Sequence, residues 1–288
     1  LFLMGTDKEH GNLIIRRSED RGNTWSSPID SITGLLRTGE YHTAPMPVIS
    51  YRGRIWRAVE CARSNTDIWG KRYSAMIISA PDSADLLQAA SWSVTDSLPY
   101  DSTYLDGKFG AWLEGNAVVT PDGNVADLLR VDYAPGPEYA ALIRLRDSVS
   151  FDPFDPEKDF VRMPGGAKKF TVRYDSLSGR YWSLVNYVTQ EWAGKQNPAW
   201  VRNTLALSSS PNLQEWTVHR TVLHHPDIAK HGFQYADWLF DGNDIVLLSR
   251  TAYDDNGTGA HNCHDANYMT FHRIKDFRKA LTEQAGNR

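Results

Sequence analysis

Short apolar runs alternate with polar residues along the whole chain, and turn-forming residues separate them. The segments "MPVISYRGRIWRAV", "AVVTPDGNVADLLRV", "FTVRYDSLSGRYWSLV" and "WLFDGNDIVLLS" each join two such runs through a tight turn that contains a glycine. A period of two predicts half-buried β-strands, and two runs around a glycine turn predict a hairpin. No convincing amphipathic helix interrupts the pattern, so the sequence predicts an all-β protein.

The hairpins repeat. Their turn glycines, Gly53, Gly123, Gly179 and Gly242, are 70, 56 and 63 residues apart. A third run follows each hairpin ("YSAMIISA", "YAALIRLR", "NTLALSSS", "NYMTFHRI"), and a tryptophan-led fourth follows twice, as "SWSV" and "EWTVHRTV". Four strands at this period are typical of a β-propeller blade. We therefore expect a propeller of four-stranded antiparallel blades over residues 1–278 and a polar tail over 279–288.

The two ends of the chain fit this pattern incompletely. The first blade fits only if "LFLMG" is its second strand and "LIIRRSE" its third, and the last unit ends after its third strand. About five blades are visible, and a closed domain is expected to have about six or seven, with further N-terminal sequence.

Charge and composition exclude several classes of function. The net charge is −4 and lysines or arginines form no run, which argues against nucleic acid or an acidic membrane surface as partner. No apolar stretch is long enough to cross a bilayer, so we expect no membrane insertion. Ten tryptophans and thirteen tyrosines favour packed sheets and surfaces on which sugars stack.

One eight-residue motif carries a family resemblance. Residues 18–25, "SEDRGNTW", match the pattern S-x-D-x-G-x-T-W, "SSPNLQEW" from Ser209 to Trp216 is a degraded copy, and "SAPDSADLLQAASW" is a candidate third copy. These segments resemble the Asp-box (BNR) repeats of the sialidase superfamily, which are folding turns and do no chemistry. With "YHTAPMPV", "HGFQYADW" and "HDANYMTFHRI", nearly the whole chain resembles a sialidase-like branch related by fold to rhamnosyl-glucuronate hydrolases and lyases and to ulvan lyases.

The resemblance implies a carbohydrate-active enzyme. The leading expectation is a glycoside hydrolase that acts on an acidic or uronate-linked oligosaccharide or polysaccharide, in an extracytoplasmic location. A polysaccharide lyase and a non-catalytic glycan-binding propeller are the alternatives. The arginine-containing F-R-I-P segment of true sialidases is not recognisable in this sequence.

The loops of a propeller lie on two faces, and the residues with chemistry fall on one of them. The turns "YRGR", "TPDGN", "SLSG" and "FDGN" are ordinary turn sequences. The loops "TGEYHTAP", "WLEGN", "MPGGAKK" and "HGFQYAD", which precede first strands, and those that follow second strands carry the histidines, charges and aromatics. This distribution predicts a ligand site at the second face.

The expected catalytic residues are His42, Glu114 and Arg130. His42 precedes "TAP", where Pro45 keeps the backbone extended, and an imidazole with a near-neutral pKa suits acid or base catalysis. Several relatives depend on a histidine, which by resemblance favours this role. Glu114 lies in "WLEGN" one blade later and would act as acid, base or hydroxyl ligand.

The expected substrate-binding residues are those suited to an anionic sugar. Arginines at strand ends can hold a carboxylate by paired hydrogen bonds, although pairing with nearby Asp132 or Asp254 is the structural alternative. The set comprises Arg57, Glu60, Arg63, Asn116, Lys168, Asn186, Arg202, Gln234, Tyr235, Arg250, His264 and Asp265.

The segment "GAHNCHDANYMTFH" raises the question of a metal. His261, Cys263 and His264 supply at most half of a zinc set, which His225 or His231 would complete. Hard oxygen ligands for calcium would be Asp254, Asp255 and Asp265. No cofactor is required by the expected function, a structural zinc or calcium stays open, and His272 is expected to be a packed strand residue. The two cysteines, Cys61 and Cys263, fit one disulfide or two free thiols.

Overall fold

The computed structural model describes residues 1–63, 66–133 and 136–283, and they form five antiparallel sheets. The first sheet has the order β1 (Phe2–Thr6), β2 (Leu13–Arg17), β3 (Leu35–Arg37). In the second, β6 (Arg54–Ala62), β7 (Tyr73–Pro81) and β8 (Ser93–Val94) follow one another, and both β4 (Tyr41–His42) and β5 (Ile49–Tyr51) pair with β6.

The remaining three sheets continue the pattern. The third consists of β9 (Ala111–Val119), β10 (Val125–Asp132), β11 (Tyr139–Arg144) and β12 (Phe160–Arg162). The fourth consists of β13 (Thr171–Asp175), β14 (Arg180–Asn186), β15 (Thr204–Ser210) and β16 (Thr217–His224). The fifth consists of β17 (Gly232–Asp241), β18 (Asp244–Ala252) and β19 (Tyr268–Ile274).

Helical structure within the described residues is limited to short segments. The α-helical turns are α1 (Tyr104–Gly107), α2 (Pro156–Asp159) and α3 (Ala280–Glu283), and the 3-10 turns are Ala89–Ser91, Pro198–Trp200 and Phe277–Lys279. In the part of the chain that the structure describes, no helix has the length and apolar character needed to cross a membrane.

The predicted fold class is confirmed: the protein is all-β, and five blades are arranged as a propeller. All four predicted hairpins occur, with Gly53, Gly123, Gly179 and Gly242 in their turns at φ between 62° and 79°. This left-handed backbone is accessible to glycine without strain. The fourth strand of the third blade, β12, is short and was not predicted. Blades beyond these five stay a prediction.

The chain divides into two compact units, Leu1–Leu129 with Leu142–Asp159, and Arg130–Ala141 with Phe160–Arg288. In the first unit, Val59 and Cys61 of β6 and Met76 and Ile78 of β7 lie in one core cluster. Because side chains alternate across a strand, Glu60 points to the opposite face of the sheet. Each fully buried Val, Ile or Met contributes about 1.5–3 kcal/mol to stability.

In the second unit, aromatic residues dominate the core. Trp182 and Trp238 are buried with Phe277, which lies just before the predicted tail. Arg278 donates two hydrogen bonds of 2.7 Å to the carboxylate of Asp175, and this lowers the pKa of Asp175 to about 2. Ala280, inside the predicted tail, is buried as well. The polar character begins after this packed segment, and residues 284–288 lie outside the described residues.

The first strand of the second blade is interrupted between β4 and β5. Pro45 and Pro47 occupy the gap, and proline has no N–H to give to a sheet. Arg57 replaces the missing contacts: Nη1 donates to Met46 O at 2.8 Å, and Nη2 donates to Thr43 Oγ1 at 2.9 Å. The guanidinium expected to bind substrate is therefore buried and holds the segment that follows His42.

The motif at Ser18 forms a closed turn between β2 and β3. Ser18 Oγ accepts the Gly22 N–H at 2.7 Å, Asp20 Oδ1 accepts the Thr24 N–H at 2.9 Å, and the Trp25 ring N–H donates to Gly22 O at 3.1 Å. Hydrogen bonds from Thr24, the hydroxyl first, lower the pKa of Asp20 to about 2. The side chains of the motif thus form their hydrogen bonds within the turn itself.

The degraded copy makes a similar turn in a shifted alignment. Asn212 Oδ1 accepts the Glu215 N–H at 2.9 Å, and the ring N–H of Trp216 donates to the carbonyl three residues earlier, as in the first turn. Ser210 Oγ bonds Asn212, so the equivalent serine is Ser210 and not Ser209. The turn is one residue shorter than the first.

Candidate functional site

The strongest group of titratable side chains in the first unit is centred on His42. In the sheet register His42 lies opposite Glu60, and Glu60 lies opposite Ala75. His42 Nδ1 is 3.0 Å from Glu60 Oε2, and Glu60 is fully buried whereas the His42 side chain is 17% exposed. A buried carboxylate that accepts from Nδ1 fixes the ring and leaves Nε2 as the unprotonated nitrogen of the neutral imidazole.

The second oxygen of Glu60 is fixed by the third blade. Glu60 Oε1 accepts the Gly115 N–H at 2.9 Å. This N–H is available because the preceding residue, Glu114, has a left-handed backbone with φ of 56°, which turns the peptide out of the regular strand direction. A Cβ on Gly115 would lie 2.3 Å from Asp127 Oδ1, so only glycine fits. Glu114 itself is buried.

Aromatic rings surround the His42 imidazole. The ring centroid of Tyr73 is 5.1 Å from that of His42, and the Tyr73 hydroxyl is hydrogen-bonded to His10 Nδ1. Arg72 Nη2 lies 3.4 Å from the same hydroxyl and 2.5 Å from Glu40 Oε1. Burial raises the pKa of Tyr73, and the hydrogen bond to Tyr73 raises the pKa of Arg72.

The sequence did not identify Tyr73, His10 or Arg72 as site residues. Tyr73 opens β7 opposite Ala62, two residues before the partner of Glu60, so the register places it on the same face as Glu60. The only sequence signal was the cationic and aromatic "KRYS" at the start of a third strand. The register between strands determines which face of the sheet Tyr73 lies on, and this register cannot be deduced from that signal.

A further carboxylate, Asp127 of β10, is buried without any hydrogen bond to either oxygen. Burial, together with the charge of Glu60, raises its pKa well above the ordinary value. The Asp127 carboxyl group is therefore harder to ionise than an ordinary aspartate.

The other predicted residues of the first unit lie outside this group or act in the scaffold. Arg63 is exposed, and its backbone N–H bonds Arg72 O at 3.1 Å. Asn116 is fully buried, and its amide donates to Leu128 O at 3.2 Å. Arg57, Arg63 and Asn116 stay predicted substrate-binding residues, and Arg57 and Asn116 donate hydrogen bonds to backbone carbonyls of the scaffold.

In the second unit, five predicted residues come together around Tyr235. Gln234 Oε1 accepts from Arg202 Nη1 at 2.7 Å, and its amide donates to His264 O at 2.6 Å. The guanidinium of Arg250 lies 4.7 Å from the centroid of the Tyr235 ring and also donates to His264 O, at 3.0 Å. The Tyr235 ring thus lies beside two guanidinium groups, an arrangement that favours cation–π attraction.

The His264 ring completes this group. Its centroid is 6.1 Å from that of Tyr235, and burial lowers the pKa of His264, so the imidazole is neutral at neutral pH. Nδ1 is 3.2 Å from Asp265 Oδ1. His264 and Asp265, both predicted to bind substrate, are thus accessible, whereas the buried Gln234 is hydrogen-bonded to protein groups.

Lys168 belongs to a second cationic group. It is fully buried, forms an ion pair with Glu138, and donates to Pro198 O at 2.9 Å. Burial lowers the pKa of Lys168, against the attraction of Glu138, and the positive charges of Arg202 and Arg130 lower it further. Glu138 also lines a cavity of 580 Å³ with Arg162, Met163, Tyr187, Gln196 and Trp216. Because the charge of Arg130 acts on Lys168, Arg130 belongs to the same cationic group. Asn186 is a buried scaffold residue whose amide donates to Phe233 O at 2.7 Å.

The residues considered for metal binding do not meet as the sequence suggested. His261 is 88% exposed, Cys263 Sγ donates to Trp200 O at 3.4 Å, and both cysteines are free thiols, which removes the disulfide alternative. His272 hydrogen-bonds Thr270 Oγ1 at 2.8 Å within β19, as expected of a strand residue. His225, His231 and Asp254, which belonged to different expected sets, lie together.

Comparison with solved structures shows that the fold is shared with proteins named as an α-L-arabinofuranosidase and a sialidase. An α-L-arabinofuranosidase from Lactobacillus brevis is 9% identical with a TM-score of 0.55, over 94% of this chain and 86% of that protein. A Trypanosoma rangeli sialidase is 12% identical with a TM-score of 0.50, over 96% and 44%. A GH32 β-fructofuranosidase of Bombyx mori is 14% identical with a TM-score of 0.48, over 74% and 43%.

These likenesses show the fold alone. The chain spans less than half of the length of the sialidase and of the β-fructofuranosidase, and most of the arabinofuranosidase. No model of a protein family matches the chain, and no curated protein matches it. The chain shares its fold with these proteins, and function has to be argued from the residues.

Proposed function

We propose that the protein is a carbohydrate-active enzyme that cleaves a glycosidic bond in an acidic glycan, with His42 as the proton-transfer residue. The observation that carries the proposal is the 3.0 Å contact between His42 Nδ1 and the buried carboxylate of Glu60. A histidine held by a buried carboxylate is an arrangement suited to acid–base catalysis, because the carboxylate fixes the tautomer and stabilises the imidazolium that forms.

The neighbours of His42 favour β-elimination over hydrolysis. A glycosidase of the usual kind needs two carboxyl groups that reach the substrate, and Glu60 and Glu114 are both buried. The groups beside His42 are the phenol of Tyr73, which is itself buried, and the guanidinium of Arg72, so the preference for elimination rests on the chemical type of these groups and not on their exposure. In β-elimination, a base removes the proton on the carbon next to a uronate carboxylate, a double bond forms, and the bond to the leaving oxygen breaks as that oxygen takes a proton.

Each of these side chains has a part in that reaction. His42 Nε2 takes the proton, Glu60 balances the imidazolium charge, and the Tyr73 hydroxyl gives a proton to the leaving oxygen. Arg72 offsets the charge that develops on the uronate carboxylate. Hydrolysis is the second candidate, supported by the glycosidase neighbours and by the family resemblance.

Independent support for an anionic ligand comes from the second unit. Arg202 and Arg250 flank the Tyr235 ring, and His264 lies at its edge with its side chain 37% exposed. Arginine beside an aromatic ring offers both paired hydrogen bonds for a carboxylate and a face on which a sugar ring can stack. This group is a candidate binding site for an acidic sugar, and an extracytoplasmic location would suit such a substrate.

The test is turnover of a panel of uronate- and sialate-containing oligosaccharides. Ultraviolet absorbance of an unsaturated uronate reports elimination, and new reducing ends without that absorbance report hydrolysis. We expect the unsaturated product, and we expect His42→Ala to lose it while His272→Ala, a change at another histidine, retains it. Folding of each variant is checked by circular dichroism.

Other outcomes would redirect the proposal. Reducing ends alone would replace elimination with hydrolysis at the same residue. Full turnover by His42→Ala would remove His42 from the mechanism. Glycan binding without any product would assign the protein to the non-catalytic alternative.

A further inference from the structure

Three side chains of the second unit converge where two connections meet, the one between β16 and β17 and the one between β18 and β19. His225 follows β16, His231 precedes β17, and Asp254 follows β18. One potential ligand atom from each lies within 4.8 Å of the other two. We infer that His225, His231 and Asp254 form a binding site for a divalent transition metal of the zinc class. The inference is independent of the proposed function, because none of these residues takes part in it.

The strongest observation is the state of His231. The residue is 5% exposed, and its Nε2 makes no hydrogen bond although it is buried. A buried ring nitrogen without a hydrogen bond is unfavourable unless another partner is available. Nε2 lies 3.4 Å from Asp254 Oδ1. A cation between these two atoms would satisfy both.

The other nitrogen of His231 is arranged as in metal-bound histidines. Nδ1 is 2.8 Å from Asp227 Oδ2, and Asp227 is itself held by the backbone N–H groups of Ala229 and Lys230. A carboxylate on Nδ1 places the proton there and leaves the Nε2 lone pair for a metal, and such carboxylates raise metal affinity. Asp227 therefore serves as the outer partner of the proposed ligand.

Neighbouring rings restrict both imidazoles. His225 and His231 stack with centroids 3.5 Å apart, and the edge of Tyr253 meets both, at 5.4 and 5.0 Å. A groove of 460 Å³ lined by Tyr253 and Asp254 gives ions access to the carboxylate. Two imidazoles and one carboxylate are a common zinc ligand set with a fourth position for water.

The site needs a small adjustment to hold the ion. Bonds of about 2.0–2.1 Å place tetrahedral ligand atoms roughly 3.4 Å apart. His231 Nε2 and Asp254 Oδ1 already have this spacing, so His225 must approach them by about 1 Å and the stacked rings must open. His225 Nδ1 accepts the Asp227 N–H at 3.1 Å, and ligation breaks this bond or turns the ring. We therefore expect reversible binding that is weaker than in a preformed structural zinc site.

The experiment is titration of the full chain, freed of metal by chelation, with zinc chloride in a calorimeter. We expect one equivalent to bind, with affinity reduced by about tenfold or more in His231→Asn and in Asp254→Asn. His231→Asn keeps an N–H for Asp227 and lacks only the second ring nitrogen, so it separates ligation from structural support. Asp254 is 75% exposed, so Asp254→Asn leaves the core intact. His261→Ala is the matched control and should bind as the wild type does.

Cobalt provides a second readout. Co²⁺ in a tetrahedral site of nitrogen and oxygen ligands gives visible absorption without the thiolate charge-transfer band that Cys263 would add. Absence of zinc binding in the wild type, undiminished binding in both His231→Asn and Asp254→Asn, or loss of binding in His261→Ala would each overturn the inference.

Discussion

Two first strands of blades, β9 and β17, contain the same backbone irregularity and use it in opposite ways. Glu114 in β9 and Tyr235 in β17 have φ of 56° and 51°, which non-glycine residues rarely adopt. After Glu114, the Gly115 N–H donates to the carboxylate of Glu60. After Tyr235, the Ala236 carbonyl accepts from the ammonium of Lys169 at 2.8 Å.

The difference shows how a repeat can support two kinds of chemistry. Each irregularity releases one main-chain group from the sheet, and that group must find another partner. A released N–H fixes an anion, and the anion in turn fixes His42. A released carbonyl fixes a buried cation, which supports the strand that presents Tyr235. The blade repeat therefore sets the backbone, and the polarity of the released group decides which charge is held beside it.

The largest effect is expected from Glu60→Gln. The amide keeps the shape of the side chain but cannot balance an imidazolium, so we expect turnover of the acidic oligosaccharide to fall by about 100-fold or more. Steady-state kinetics checks this, and the fall should appear in kcat more than in KM. Unchanged kcat would mean that the irregularity of β9 supports only the fold.

The next effect is expected from Gly115→Ala. The new Cβ would lie 2.3 Å from Asp127 Oδ1 and 2.8 Å from Ala58 Cβ, so β9 must move away from Glu60. We expect the free energy of unfolding to fall by about 1–3 kcal/mol, with a further loss of turnover. Chemical denaturation measures the change in the free energy of unfolding. Gly179→Ala, at a turn where an added Cβ meets nothing within 4 Å, is a control that carries only the backbone strain of a positive φ.

In β17 the matching change is Lys169→Met. The substitution removes the cation that Ala236 O binds. That buried carbonyl then keeps one hydrogen bond, from the Thr171 hydroxyl at 3.2 Å. We expect a stability loss of about 1–3 kcal/mol. Turnover measured below the unfolding transition should change far less than in Glu60→Gln. An equal loss of turnover in the two variants would erase the distinction between the strands.

The local features of the fold could be predicted from the sequence, whereas the partners of the site could not. Glycine turns and alternating runs depend on neighbouring residues, and they correctly predicted the hairpins around Gly53 and Gly242. His42 was predicted as a candidate because Pro45 follows it closely. Tyr73 and Asp127 were missed because their place beside Glu60 depends on the register and packing of other strands. His261 and Cys263 are only two residues apart in sequence, yet His261 is exposed and Cys263 is buried.

A smaller effect, in the stabilising direction, is expected from Asp127→Asn. Burial raises the pKa of Asp127, so as pH rises above the ordinary carboxyl range the unfolded chain releases this proton while the folded chain retains it. Ionisation thus favours the unfolded state, and stability falls with rising pH until the raised folded pKa is reached. The amide cannot ionise, so the variant should gain stability at neutral pH and lose this pH dependence. Denaturation at several pH values checks both, and a variant less stable at neutral pH would mean that the carboxyl group is charged in the fold.

The smallest effects are expected from the paired changes Glu114→Gly and Tyr235→Gly. Glycine adopts positive φ without the strain of about 1–2 kcal/mol that a Cβ brings, but each change also removes a side chain. At Glu114, which is buried, lost packing should cancel most of the gain. At Tyr235 the two neighbouring guanidinium groups lose their aromatic face, so affinity for acidic sugars should fall while stability stays within about 1 kcal/mol. Calorimetric titration measures the affinity for acidic sugars, and thermal unfolding measures the stability of each variant. Equal sugar affinity in both variants would show that the Tyr235 ring, and with it the cationic group, has no part in recognition.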